Sequence, residues 1–117
     1  MILRMILSAA ILFLAGCTHL ICDSTERLQL RNLTDVPVRD FSVVGKNDTL
    51  VWISETVAPG ELSYVYERDF VGTFHVLLFA KSDSGWTPVD LGKIDFDGGS
   101  ELANISKKDG RLRLKFE

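Results

Sequence analysis

The stretch Glu101–Glu117, "ELANISKKDGRLRLKFE", decides the fold. Leu112, Leu114 and Phe116 alternate with Arg111, Arg113 and Lys115, the period of two that marks a strand with one dry face and one wet one. "ELANISK" upstream is a second strand-forming run. Between the two, Lys107 to Gly110 closes on Asp109-Gly110, a pair that accepts the positive backbone angles of a two-residue hairpin turn. The stretch is therefore expected to fold as an antiparallel hairpin whose apolar face needs a second layer to cover it.

The same signature recurs upstream as far as Glu26. "RLQLRNL" sets Leu28 and Leu30 on one face against Arg27, Gln29 and Arg31, and "VRDFSVVG" points Phe41 and Val43 one way after a turn at Asp35 to Pro37. "TLVWIS" follows a turn at Gly45 to Asp48. In "VAPGEL", Pro59 presets the first angle of a type II turn and Gly60 accepts the positive second one. "LSYVYER" places Leu62, Tyr64 and Tyr66 on one face. "TFHVLLFAK" is apolar on both faces, which suits the middle of a sheet or a packed interface. "TPVDLGKIDF" reads as a strand bent at Gly92. No stretch carries a helical period. About seven strands at regular spacing predict an all-β domain over residues 26–117. The expected architecture is an antiparallel β-sandwich of immunoglobulin-like or transthyretin-like type.

The 117 residues include 13 Lys and Arg against 16 Asp and Glu, and 46% are hydrophobic. That acidic balance argues against a general nucleic-acid binder, which needs a basic surplus to neutralise phosphates. The apolar content excludes a disordered chain.

Residues 1–17, "MILRMILSAAILFLAGC", have the plan of an export signal: Arg4, an apolar segment from Met5 to Leu14, then small residues. The apolar segment is shorter than the roughly 20 residues that cross a bilayer. Leu14, Ala15, Gly16 and Cys17 match the lipobox, so this segment resembles the signal peptide of bacterial lipoproteins. The resemblance implies cleavage after Gly16 and a diacylglycerol on the Cys17 thiol, with residues 17–25 as a short tether. Two or three acyl chains make a stable anchor. Thr18 follows the cysteine where an aspartate would resemble an inner-membrane retention signal, so the expected address is the outer membrane, facing the periplasm. Eight residues separate Cys17 from Glu26 and reach about 28 Å when extended, which would hold the domain close to the bilayer. Cys22 would be the one unmodified thiol, beside the membrane.

"VAPGE" ahead of a strand and "VGTFHVLLFAKSDSGW", together with the lipobox, also resemble the lipoproteins that fasten type VI secretion complexes to the outer membrane. That likeness implies a lipidated transthyretin-like sandwich that works through protein contacts.

Chemistry is sparse. His19 lies in the tether, and His75 shares a strand face with Leu77 and Phe79 with no nucleophile motif to join. No cluster has metal-ligand spacing. Asp95, Asp97, Gly98 and Gly99 depart from the 12-residue calcium loop and read as a turn. The Asn-x-Ser/Thr sites at Asn32, Asn47 and Asn104 have no role downstream of a lipobox. No catalytic residue, metal or cofactor is expected, and the chain is not expected to be an enzyme. Two surface features stand out. Arg111, Arg113 and Lys115 form a basic row, which Arg27 and Arg31 would extend if the first strand lay alongside. Trp86, next to Ser84-Gly85, is a candidate loop contact. The expected role is a small lipid-anchored binding or scaffolding module with an envelope protein as partner. The alternative is an inhibitor, immunity or exclusion factor that blocks an envelope-directed enzyme or phage.

Overall fold

The computed structural model describes residues 25–117. The expected signal peptide, the lipobox residues Leu14, Ala15, Gly16 and Cys17, and most of the tether with His19 and Cys22 lie outside the described residues. Eight strands run through the rest: β1 Glu26–Asn32, β2 Val38–Val44, β3 Thr49–Ile53, β4 Tyr66–Arg68, β5 Gly72–Ser82, β6 Gly85–Phe96, β7 Gly99–Lys108 and β8 Arg111–Phe116. They form two four-stranded sheets with orders β4-β1-β7-β8 and β3-β2-β5-β6, packed as a sandwich. The all-β sandwich is thus as the alternation indicated, with one strand more than about seven.

One pairing departs from a wholly antiparallel plan. β1 runs parallel to β7 over seven register pairs, from Glu26 with Gly99 to Asn32 with Ile105. Leu28 and Leu30 from β1 and Ala103 and Ile105 from β7 are all buried on the inner face. In the other sheet β5 is interior, flanked by β2 and β6. Val76 and Leu78 enter the core while Leu77 and Phe79 are half-buried on the outer face.

Two bulges keep apolar residues inward where their spacing is odd. Val38 and Phe41 are three apart, yet both are buried, because the β2–β5 register shifts between Arg39 and Ser42 with Asp40 at a φ of 53°. In β6 the shift leaves Leu91 unpaired beside Gly92, at a φ of 82°, and Leu91 and Ile94 both pack on the core. The bend expected at Gly92 is this bulge.

The core is aromatic at the end where β6 closes. Trp52 packs against Phe41, Phe70 and Phe96 at centroid distances of 6.1, 5.0 and 5.1 Å. Phe96 meets Phe116 of the opposite sheet at 5.7 Å, edge to face, an arrangement that suits the ring quadrupoles. At the other end Asn32 is fully buried. Its Nδ2 donates to the carbonyls of Val36 and Val57 at 2.8 and 2.9 Å, and its Oδ1 accepts from the Thr34 amide and hydroxyl. That acceptor site in the sequence is therefore a structural hub inside the fold.

The segment before β4 differs from its expected strand. Leu62 and Tyr64 are exposed, and the buried residue is Ser63. The Leu30 amide donates to Ser63 Oγ at 2.9 Å, while the Ser63 amide donates to the Leu30 carbonyl at 2.8 Å. Glu55 accepts from the Tyr64 amide and the Tyr66 hydroxyl, each at 3.0 Å. These polar ties turn Leu62 and Tyr64 outward; of the three residues that the alternation groups, Tyr66 alone packs on the core, and regular pairing begins there.

Candidate functional site

The basic row lies on the outer face of the β4-β1-β7-β8 sheet. Residues paired across strands share a face, and the register pairs Lys108 with Arg111, Ser106 with Arg113 and Asn104 with Lys115. Arg31 pairs in turn with Asn104, and Arg27 with Ser100. Arg27, Arg31, Arg111, Arg113 and Lys115 therefore do share one face. They are not side by side: β7 separates β1 from β8, a gap of about 9.6 Å. The condition on which Arg27 and Arg31 would extend the row, a first strand lying alongside the last, is not met. Lys108 of β7 joins the row.

The two ends of the row differ in charge. Arg27 lies 3.7 Å from Glu67 and Arg31 3.4 Å from Glu117, exposed pairs of little energetic weight that still neutralise β1. Among the described residues Arg111, Arg113 and Lys115 form no ion pair. Positive charge concentrates on β8 and the hairpin tip. Because β7 runs parallel to β1, that tip lies nine residues along β7 from Gly99, the partner of Glu26, or about 30 Å from where the chain enters the fold.

Trp86 lies at a strand end, two residues past the Asp83-Ser84 turn. It is the second residue of β6, half-buried, paired with Lys81. The Arg39 guanidinium covers its ring at 4.1 Å and the Lys81 ammonium lies 5.6 Å from it, so the indole is already engaged by cations of this chain.

His75 Nε2 lies 2.6 Å from Asp90 Oδ1, which also accepts the Gly92 amide at 2.7 Å. The Gly92 hydrogen bond, then the one to His75, holds the Asp90 carboxyl below its usual range. The pair straddles the β6 bulge and fixes it.

Sequence reasoning missed a carboxyl pair at the end where β1 begins. Glu26 is fully buried, and its Oε1 accepts the Gly98 amide at 3.1 Å. Burial raises its pKa, offset in part by the Gly98 hydrogen bond. Burial, with the charges of Glu26 and Asp97, pushes Glu101 up to about 7. The Oε2 atoms of both residues are buried without a hydrogen-bond donor from another group. A shared proton is what such a pair needs. The signal was present: Glu26 is in phase with Leu28 and Leu30, and Glu101 with Ala103 and Ile105. Of the stretch read as a turn, Asp97-Gly98 connects β6 to β7, while Asp95 and Gly99 belong to the strands themselves; no three His, Cys, Asp or Glu among the described residues are grouped to hold a metal ion.

No family model matches this chain, and no curated protein does. A solved structure that is similar is the NMR structure of a protein from Eubacterium rectale, at 14% identity over 80% of this chain and 88% of that one, with a TM-score of 0.42. The sandwich rests on this chain's own strand pairing.

At the hairpin end, a cleft of about 360 Å³ opens between the tips of the two sheets. Val36, Ala80, Val89 and Leu112 give it an apolar floor, and Lys81, Asp83 and Lys107 stand at its rim.

Proposed function

We propose that the protein is a small lipid-anchored binding or scaffolding module of the bacterial envelope, tethered through Cys17 and facing the periplasm from the outer membrane. The observation that carries this reading is the lipobox at Leu14–Cys17, placed eight residues before the first strand. The charge distribution supports a contact role. Arg111, at the hairpin tip, lies about 30 Å along the sheet from the tether junction, and Arg113 and Lys115 step back from there toward the anchor, Lys115 at about 17 Å. The role is recognition by a sheet surface rather than bond-making.

The test is metabolic labelling with an alkyne palmitate analogue in a Gram-negative host that produces the full chain. The expected result is label on the wild type, recovered with outer-membrane fractions, and loss of both in Cys17→Ser. Membrane recovery without label, or label that survives Cys17→Ser, would overturn the anchor.

A further inference from the structure

We propose that β8 is a docking edge that takes up an extended segment of another protein in which acidic and apolar residues alternate. This names a partner for the binding role proposed above, and rests on that role but not on the lipid.

Each sheet has two edges, and three of the four are poor templates. β4 is three residues long and β3 five, with a bulge in its pairing to β2. β6 is interrupted by Pro88 and by the bulge at Leu91–Gly92. Short strands, prolines and bulges are how proteins blunt an edge. β8 has none of these: six residues in unbroken register with β7.

The hydrogen-bonding parity is fixed. The Glu117 amide donates to the Leu102 carbonyl at 3.0 Å, so Lys115, Arg113 and Arg111, in phase with Glu117, turn their backbone groups toward β7. Leu112, Leu114 and Phe116 turn theirs away, to the open side, where no described strand pairs with them. An added strand would hydrogen-bond to those three residues.

Side chains then set the chemistry of the guest. On the inner face the guest would lie beside Leu112, Leu114 and Phe116, which are only half-buried, next to the cleft floored by Val36, Ala80, Val89 and Leu112. Apolar residues belong there. On the outer face it would lie beside Arg111, Arg113 and Lys115, which have no ion-pair partner among the described residues. Acidic residues belong there, in alternation with the apolar ones. A second copy of β8 is the wrong guest, because it would set cations against cations on that face.

The full chain, in zwitterionic detergent, is titrated with a Glu-Val-Glu-Leu-Glu-Val-Glu peptide while amide hydrogen exchange is followed. The controls are a peptide of the same composition with all four Glu at one end, a version with Lys for Glu, and vesicles containing anionic lipid. The alternating peptide is expected to slow exchange at the Leu112, Leu114 and Phe116 amides and to bind at least about tenfold more tightly than either control peptide. Arg113→Glu with Lys115→Glu should remove that preference while leaving the far-UV spectrum unchanged. Absence of binding, equal binding of the three peptides, protection elsewhere, protection by vesicles alone, or a peptide-free dimer protected at the same amides would each overturn the proposal. None of these outcomes touches the labelling result at Cys17, so the anchor and the docking edge stand or fall separately.

Discussion

Glu101 is a residue whose position sets a pH dependence for the whole domain. Its carboxyl is pushed up to about 7, by burial first and then by Glu26 and Asp97, from an ordinary value of 4.5. The folded state therefore binds more protons than the unfolded one between those two values, and stability falls as pH rises through that window. Below 4.5 both states are protonated and the penalty is absent; above about 7 it is complete. Glu101→Gln is expected to flatten this slope and to raise stability at pH 8, read as the urea midpoint at pH 5 and pH 8. A midpoint that rises with pH in the wild type would contradict the assignment. The pair was hidden in the sequence because alternation assigns a face without telling whether a charged group on the inner face is tolerated. Here Glu26 is stabilised inside by the Gly98 amide, a contact made across 72 positions.

At the scale of elements, the β7–β8 hairpin was the most legible feature and the 62–66 segment the least. Asp109 and Gly110 have φ values of 55° and 78°, as a two-residue turn matched to strand twist requires. Gly110→Val is expected to cost about 1–2 kcal/mol, since a β-branched side chain is strained at that angle, while Asp109→Asn should be close to neutral in thermal denaturation. Local residue types fix that hairpin. Ser63 instead answers to Leu30, and Tyr64 to Glu55, partners that no local pattern displays, and so the period-two alternation does not hold Leu62 and Tyr64 on the core side with Tyr66. The bulge at Gly92 was readable because glycine flags it. The one at Asp40 was not, because the three-residue spacing of Val38 and Phe41 becomes meaningful only once both are known to be buried.

For the molecule as a whole, the core joins the two sheets through aromatic rings, with Trp52 at the centre and 2% exposed. Trp52→Ala should lower stability by about 3–5 kcal/mol, enough to unfold a substantial fraction of a domain of this size at 37 °C, and the test is equilibrium denaturation followed by far-UV circular dichroism. The class of fold was legible because alternation and turn chemistry recur along the chain. The order of strands was not, because the pairing of β1 with β7 joins segments about seventy residues apart and leaves no local trace. The same gap explains the basic row: alternation put its members on the outward faces of their strands, but their spacing depends on β7 lying between them.

The parallel pairing of β1 with β7 also has a mechanical meaning. Tension applied at Thr25 pulls β1 along its own length, and all seven register pairs with β7 resist together in shear instead of opening one at a time like a zipper. A load carried from the start of β1 to β8 crosses β7 and meets the second long ladder, of six pairs, on the way. The domain is thus built to transmit a pull from its amino-terminal end to its basic edge without peeling apart.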